Sequence, residues 1–136
     1  MKEILMIEDF PVLHKLYGDY LKDHGYKVAT AVDPVEALEI LQNREFDFIL
    51  LDLLLPKMNG VEFLEKFNPI KPSKTKIIVL SDFNRPQTVR RAYELGIDGF
   101  WIKVENNPSE LLKKLNELSR VVDSDTDLDK DLLQTD

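Results

Sequence analysis

Short β-rich runs alternate with stretches of helical hydrophobic spacing, and this alternation constrains the fold of the 136-residue chain more than any other feature. The β-rich runs are EILMI (3–7), KVAT (27–30), FDFILL (46–51), KIIVL (76–80) and GFWI (99–102). Between them apolar residues recur every three or four positions, the period of a helix with one buried face. Val12, Leu13, Leu16, Tyr17, Tyr20 and Leu21 form the first stripe, with Gly25 as its stop. Asp33-Pro34 reads as an N-cap with proline at the first helical position, ahead of Val35, Ala37, Leu38 and Leu41. Val61, Phe63, Leu64 and Phe67 predict a third helix, and Val89, Ala92, Tyr93 and Leu95 a fourth, ended by Gly96. Asn107-Pro108-Ser109-Glu110 starts a fifth, with Leu111, Leu112, Leu115 and Leu118 as its stripe. Five strands alternating with five helices imply βαβ crossovers, hence an α/β doubly wound five-stranded parallel sheet covered on both faces.

Composition narrows the function. The length fits one core; residues 1–122 are read as the domain and 123–136 as an acidic, disordered tail. No apolar run reaches the roughly 18 residues of a membrane span, and MKEILMIEDF is too short in apolar residues, and acidic too early, for a signal peptide. The absence of cysteine excludes disulfides and thiolate chemistry and fits a cytoplasmic location. The net charge of −7 is concentrated in DSDTDLDKDLLQTD, which leaves the body close to neutral. A neutral body with an acidic tail argues against nucleic-acid binding. Leu128, Leu132 and Leu133 leave room in that tail for a short partner-binding helix.

In open α/β sheets ligands bind outside the carboxyl ends of the strands. Those ends carry Glu8-Asp9, Asp52, Ser81-Asp82 and Lys103. Asp52 is the one polar residue in FILLDLLLP, and burying an unpaired carboxylate among leucines is costly. It supplies no cap or turn there, which leaves chemistry as its reason. Clustered carboxylates suit a hard cation such as Mg²⁺. With charge neutralised by a cation and a lysine, a carboxylate can act as nucleophile toward a phosphoryl group.

Taken in order, these residues resemble the response-regulator receiver domains of bacterial two-component signalling, of the single-domain chemotaxis type, across residues 2–120. The resemblance rests on the acidic pair Glu8-Asp9 after strand 1, Asp52 after an apolar strand 3, and the following pattern of Pro56, Met58, Gly60 and Glu62. It also rests on the hydroxyl of Ser81 at the end of strand 4, and on Phe100 three residues before Lys103, preceded by Gly96 and Asp98. It implies a flavodoxin-like sheet of strand order 2-1-3-4-5 with five helices. It implies phosphoryl acceptance on Asp52 from a sensor histidine kinase or phosphotransfer protein. Mg²⁺ (or Mn²⁺) would be bound by Asp9, Asp52 and the backbone carbonyl of Leu54, with Glu8 acting through water. Lys103 would pair with the phosphoryl group or Asp52. Ser81 and Phe100 would form the switch. Output would pass to a downstream protein through the face of helix 4, strand 5 and helix 5, and a homodimer on phosphorylation stays open. The implied protein is a phospho-acceptor with slow self-dephosphorylation at most, not an enzyme, with no direct nucleic-acid or membrane partner.

Taken singly, these residues have plainer readings. Asp9 could cap the first helix, Ser81 could be an ordinary strand-end hydroxyl, and His14 and His24 read as exposed rather than as ligands. Three departures from the pattern matter. Asp82 follows Ser81 where a small residue is usual, and its charge would slow phosphorylation by small donors. Val104 follows Lys103 where proline after a cis bond is usual, which predicts either a trans bond with a reshaped loop or a strained cis bond. Leu54 and Phe83 flank the site and cannot orient an attacking water, so an acyl phosphate should decay slowly. Asp82 and Val104 support the alternative of a phosphorylation-independent receiver-like interaction module. A haloacid-dehalogenase-type phosphatase would need a second Asp where Leu54 stands, and EDFPVL is not a flavodoxin phosphate loop.

Overall fold

The computed structural model describes residues 2–53 and 58–120. Along them run β1 (Glu3–Ile7), α1 (Pro11–Asp23), β2 (Lys27–Ala31), α2 (Pro34–Leu41), β3 (Phe48–Leu51), α3 (Gly60–Phe67), β4 (Lys76–Leu80), α4 (Pro86–Glu94) and β5 (Gly99–Trp101). A fifth helix, α5, covers 108–120. A 3₁₀ turn follows α3 at Asn68–Ile70 and another follows β5 at Lys103–Glu105. The tail assigned to 123–136 and the Leu54 carbonyl lie outside the described residues. No helix among the described residues is long and apolar enough to cross a membrane.

All strand pairs are parallel, in the order β2-β1-β3-β4-β5. Successive side chains of a strand point to opposite faces, so each strand feeds two cores. Leu5, Ile7, Ile49, Leu51, Ile77 and Val79 pack with residues of α2, α3 and α4. Ile4, Met6, Phe48, Leu50, Ile78 and Leu80 pack with α1 and α5. This double burial is why β3 reads as an unbroken apolar run.

The helix boundaries follow local chemistry. Asp33 accepts from the Glu36 amide, Asn59 from Glu62 and Asn107 from Glu110, at 2.8, 2.9 and 2.9 Å. Each satisfies a donor that the first turn leaves unpaired. Gly25, at φ +98°, turns the chain out of α1, and the Tyr26 amide donates back to the Leu21 carbonyl at 3.1 Å.

The α1 stripe differs from the expectation. Val12 and Leu16 are exposed (66 and 52%), and the inward row is Leu13, Tyr17 and Leu21 with Gly18. The spacing of apolar residues fitted two overlapping faces, and packing against β1 and α5 selected one. Of the two histidines, His24 is exposed and stacks on Tyr20, but His14 is only half-exposed and its Nε2 is buried without a partner.

Candidate functional site

The strand ladders continue past the strand ends and draw the chemistry-bearing residues together. The Glu8 amide donates to Ala31 O (3.1 Å), the Asp52 amide to Ile7 O (3.4 Å), the Ser81 amide to Trp101 O (3.1 Å) and the Lys103 amide to Ser81 O (3.3 Å). Strand alternation then sorts the side chains. Glu8 continues the Ile4–Met6 row, Asp52 the Phe48–Leu50 row, and Lys103 follows Trp101, all toward the α1/α5 face. Asp9 and Ser81 continue the opposite rows.

Lys103 is the hub of the first group. Its Nζ lies 2.8 Å from Glu8 Oε1 and 2.8 Å from Asp52 Oδ2. The three side chains are only 15, 8 and 14% exposed. Met6, Leu50, Leu80 and Tyr17 line the apolar floor beneath them, round a cavity of about 20 Å³. Burial works to lower the Lys103 pKa, but the hydrogen bonds it donates to Asp52 and Glu8, with the charges of those carboxylates, outweigh it and hold the ammonium above its ordinary value. Glu8 moves up as well, first because burial strips its water, with the charges of Asp52 and Asp9 adding to the rise against Lys103. One lysine does not neutralise the group.

The Lys103–Asp52 pair is the contact that sequence reasoning anticipates. The Glu8–Lys103 pair is not, and Glu8 proves buried while Asp9 is exposed. Row parity could have revealed it, since 8, 52 and 103 extend the 4–6, 48–50 and 101 rows. Asp9 does not cap α1. Phe10 holds the N-cap position without a side-chain bond, and Pro11 follows it.

Three further residues shape the site. An added Cβ at Gly60 would lie 2.8 Å from Leu53 Cα and 3.0 Å from Asp52 O, so only glycine lets α3 start against the segment that carries Asp52. Tyr17, which reads in sequence as a core residue, donates its hydroxyl to Asn106 O at 2.7 Å. Asn106 is itself buried and donates to Ile102 O at 2.7 Å, so Tyr17 anchors the turn that carries Lys103. Nothing in the sequence pattern distinguishes that tyrosine from its neighbours.

Ser81 is buried and its Oγ accepts from the Phe83 amide at 3.1 Å, which leaves its proton free to donate elsewhere. Phe100 is half-buried against the α2–α3–α4 core, while Trp101 faces the other core. The Lys103–Val104 bond is trans, and the chain turns at once into the 3₁₀ segment. Asp82 is exposed, and its Oδ1 accepts from the Val104 amide at 2.9 Å.

The residues fit a divalent cation in kind and charge. Three carboxylates share one electrostatic neighbourhood with a single lysine, and all offer hard oxygen donors. Among the described residues, however, no three carboxylate or imidazole groups already form a metal-holding cluster. Glu8 is engaged by Lys103 and Asp9 is exposed.

A doubly wound α/β domain with a buried lysine joining two strand-end carboxylates defines the class. The match to the response regulator receiver domain model over residues 4–116 makes the assignment specific: the chain belongs to that family. It is 29% identical over 120 residues to the "Chemotaxis protein CheY" of Thermotoga maritima, covering 88% of this chain and 98% of that protein. It is 32% identical over 117 residues to the "Probable transcriptional regulator ycf29" of Pyropia yezoensis, covering 85% of this chain. Among relatives of that longer kind the chain spans about half the length or less, 52% in this case. A CheY-like receiver domain structure from Methanospirillum hungatei superposes with TM-score 0.84 at 28% identity, over 92% of this chain and 98% of that one. The chain is thus a CheY-like receiver domain of a two-component response regulator. Members of the family are in general phospho-acceptors rather than enzymes, typically bind Mg²⁺, and interact with histidine kinases and downstream targets.

Proposed function

We propose that the chain accepts a phosphoryl group on Asp52 from the phosphohistidine of a sensor histidine kinase or phosphotransfer protein. The observation that carries this reading is the 2.8 Å contact of Lys103 Nζ with Asp52 Oδ2 at the end of β3. In the transfer an Asp52 oxygen attacks phosphorus, the phosphorus–nitrogen bond breaks, and the bonding pair leaves on the imidazole. Lys103, fixed beside Asp52, meets the charge on the incoming phosphoryl oxygens. Asp9, Asp52 and the Leu54 carbonyl, with Glu8 through water, would hold Mg²⁺ (or Mn²⁺), which would supply further neutralisation of charge at the site.

Ser81 then donates a hydrogen bond from its hydroxyl to a phosphoryl oxygen, its O–H being free while its oxygen accepts from the Phe83 amide. Phe100 follows inward, and the α4–β5–α5 face presents the new state to a downstream protein. Phe83 is apolar and half-buried, with the Arg85 guanidinium 5.4 Å from its ring centroid. It cannot orient an attacking water, so the acyl phosphate decays slowly.

Mass spectrometry after incubation with acetyl phosphate tests the reading. Label should appear on Asp52 with Mg²⁺, disappear with chelator, and be absent from Asp52→Asn. Label on another residue, or none with Mg²⁺ present, would refute it.

A further inference from the structure

We propose that Asp82 is a positioning residue that sets Ser81 and Lys103 in register, an inference that rests on the phospho-acceptor reading of Asp52. The ladder between β4 and β5 runs out at these two residues. The Ser81 amide donates to Trp101 O and the Lys103 amide to Ser81 O, after which the chain turns away as the Lys103–Glu105 3₁₀ segment. A helical turn leaves its first amides without backbone acceptors. The residue before this turn, Ile102, supplies no side-chain cap. Asp82 supplies one from the neighbouring strand end, with Oδ1 2.9 Å from the Val104 nitrogen.

Asp82 directly follows Ser81, and Val104 directly follows Lys103. Their bond therefore ties together the two loops whose side chains would meet the phosphoryl group. It also joins two departures from the receiver pattern. A small residue at 82 has no carboxylate to accept a hydrogen bond, and a proline at 104 has no N–H to donate one. An aspartate at 82 and a residue with an N–H at 104 form a matched pair. The bond gives Asp82 a hold on the backbone beside Lys103 that is separable from the effect of its charge.

The test compares Asp82→Ala, which removes the acceptor, with Asp82→Asn, which keeps an oxygen of similar placement while removing the charge. Two readouts are needed, acetyl phosphate labelling rates with Mg²⁺ and backbone amide NMR of the unphosphorylated protein. Asp82→Ala should label about three- to tenfold more slowly, the range expected for loss of one charge-assisted hydrogen bond. It should also shift the Val104, Ser81 and Lys103 amide resonances and speed Val104 amide exchange. Asp82→Asn should restore most of the rate and of the resonance pattern. Equal acceleration in both variants would show that charge repulsion rules and overturn the proposal. So would a Val104 amide unmoved in Asp82→Ala. A wild type that takes no label would defeat the phospho-acceptor reading instead, and the three amide resonances would still decide whether Asp82 holds the loops together.

Discussion

Lys103 and Glu8, 95 positions apart in sequence, meet at 2.8 Å beneath the mouth of the site, and Asp52 shares the same ammonium. The lysine is thus a structural counter-ion as well as a candidate phosphoryl ligand.

Replacing Lys103 with methionine should leave two largely buried carboxylates without their cation. The expected loss is about 3 kcal/mol at neutral pH. Without Lys103 the Glu8 pKa, already raised by burial, loses the two Lys103 contributions that oppose the rise and moves further above its unfolded value. The folded protein then binds more protons, and the stability deficit shrinks as pH falls through the raised value. Urea unfolding at neutral pH and at about pH 5 checks this; an equal deficit at both would rule out the counter-ion role.

Gly60→Ala should be costly in a way that Gly25→Ala is not. At Gly60 the added carbon meets the backbone of Leu53 and Asp52, whereas at Gly25 nothing lies within 4 Å and the strain comes from φ alone. The expected loss is about 2–3 kcal/mol at Gly60 and about 1 kcal/mol at Gly25. Only the first should also slow labelling of Asp52, because only it displaces the acceptor segment.

Tyr17→Phe removes the hydroxyl that donates to Asn106 O and leaves that carbonyl short of a partner. A loss of about 1 kcal/mol is expected by thermal unfolding. The variant should also broaden the amide resonances of Lys103 and Val104, since the turn loses its tie to α1. A variant with sharp, unshifted resonances there would mean that Tyr17 acts only by packing.

His14 should make stability fall in mild acid. Burial lowers its pKa, against a partial opposing effect of Glu36, so the unfolded chain takes up a proton more readily than the folded one. The contribution is nil well above the unfolded value near 6.5 and turns unfavourable as pH drops through it. Glu8 acts with the opposite sign, its raised pKa favouring the folded state in acid. His14→Gln isolates the histidine: its unfolding midpoint should vary less with pH between about 5.5 and 7.5 than that of the wild type.

Much of this was legible because it is local or periodic. Asp33 and Asn107 announce their helices by cap chemistry, and β3 announces its double burial by an unbroken apolar run. Asp52 stands out because a carboxylate is expensive in that company. The Glu8–Lys103 pair stayed hidden because the adjacent acids Glu8 and Asp9 look alike until strand parity sends one inward and the other out. The Tyr17 anchor and the Asp82–Val104 bond depend on where two loops meet in space, which no spacing within one segment encodes. The buried face of α1 is not encoded in its spacing, because Val12 and Leu16 fit the helical period equally well and only the neighbouring elements choose between faces.

The sheet also acts as a partition. Glu8, Asp52 and Lys103 belong to the rows on the α1/α5 side, whereas Ser81 and Phe100 belong to the rows facing α2, α3 and α4. These charged side chains and the side chains of Ser81 and Phe100 therefore rest on opposite faces of the sheet, and the Asp82–Val104 bond is one tie between their loops. Because the same strands supply both cores, a substitution that repacks one side acts on the other through the strand backbone that they share.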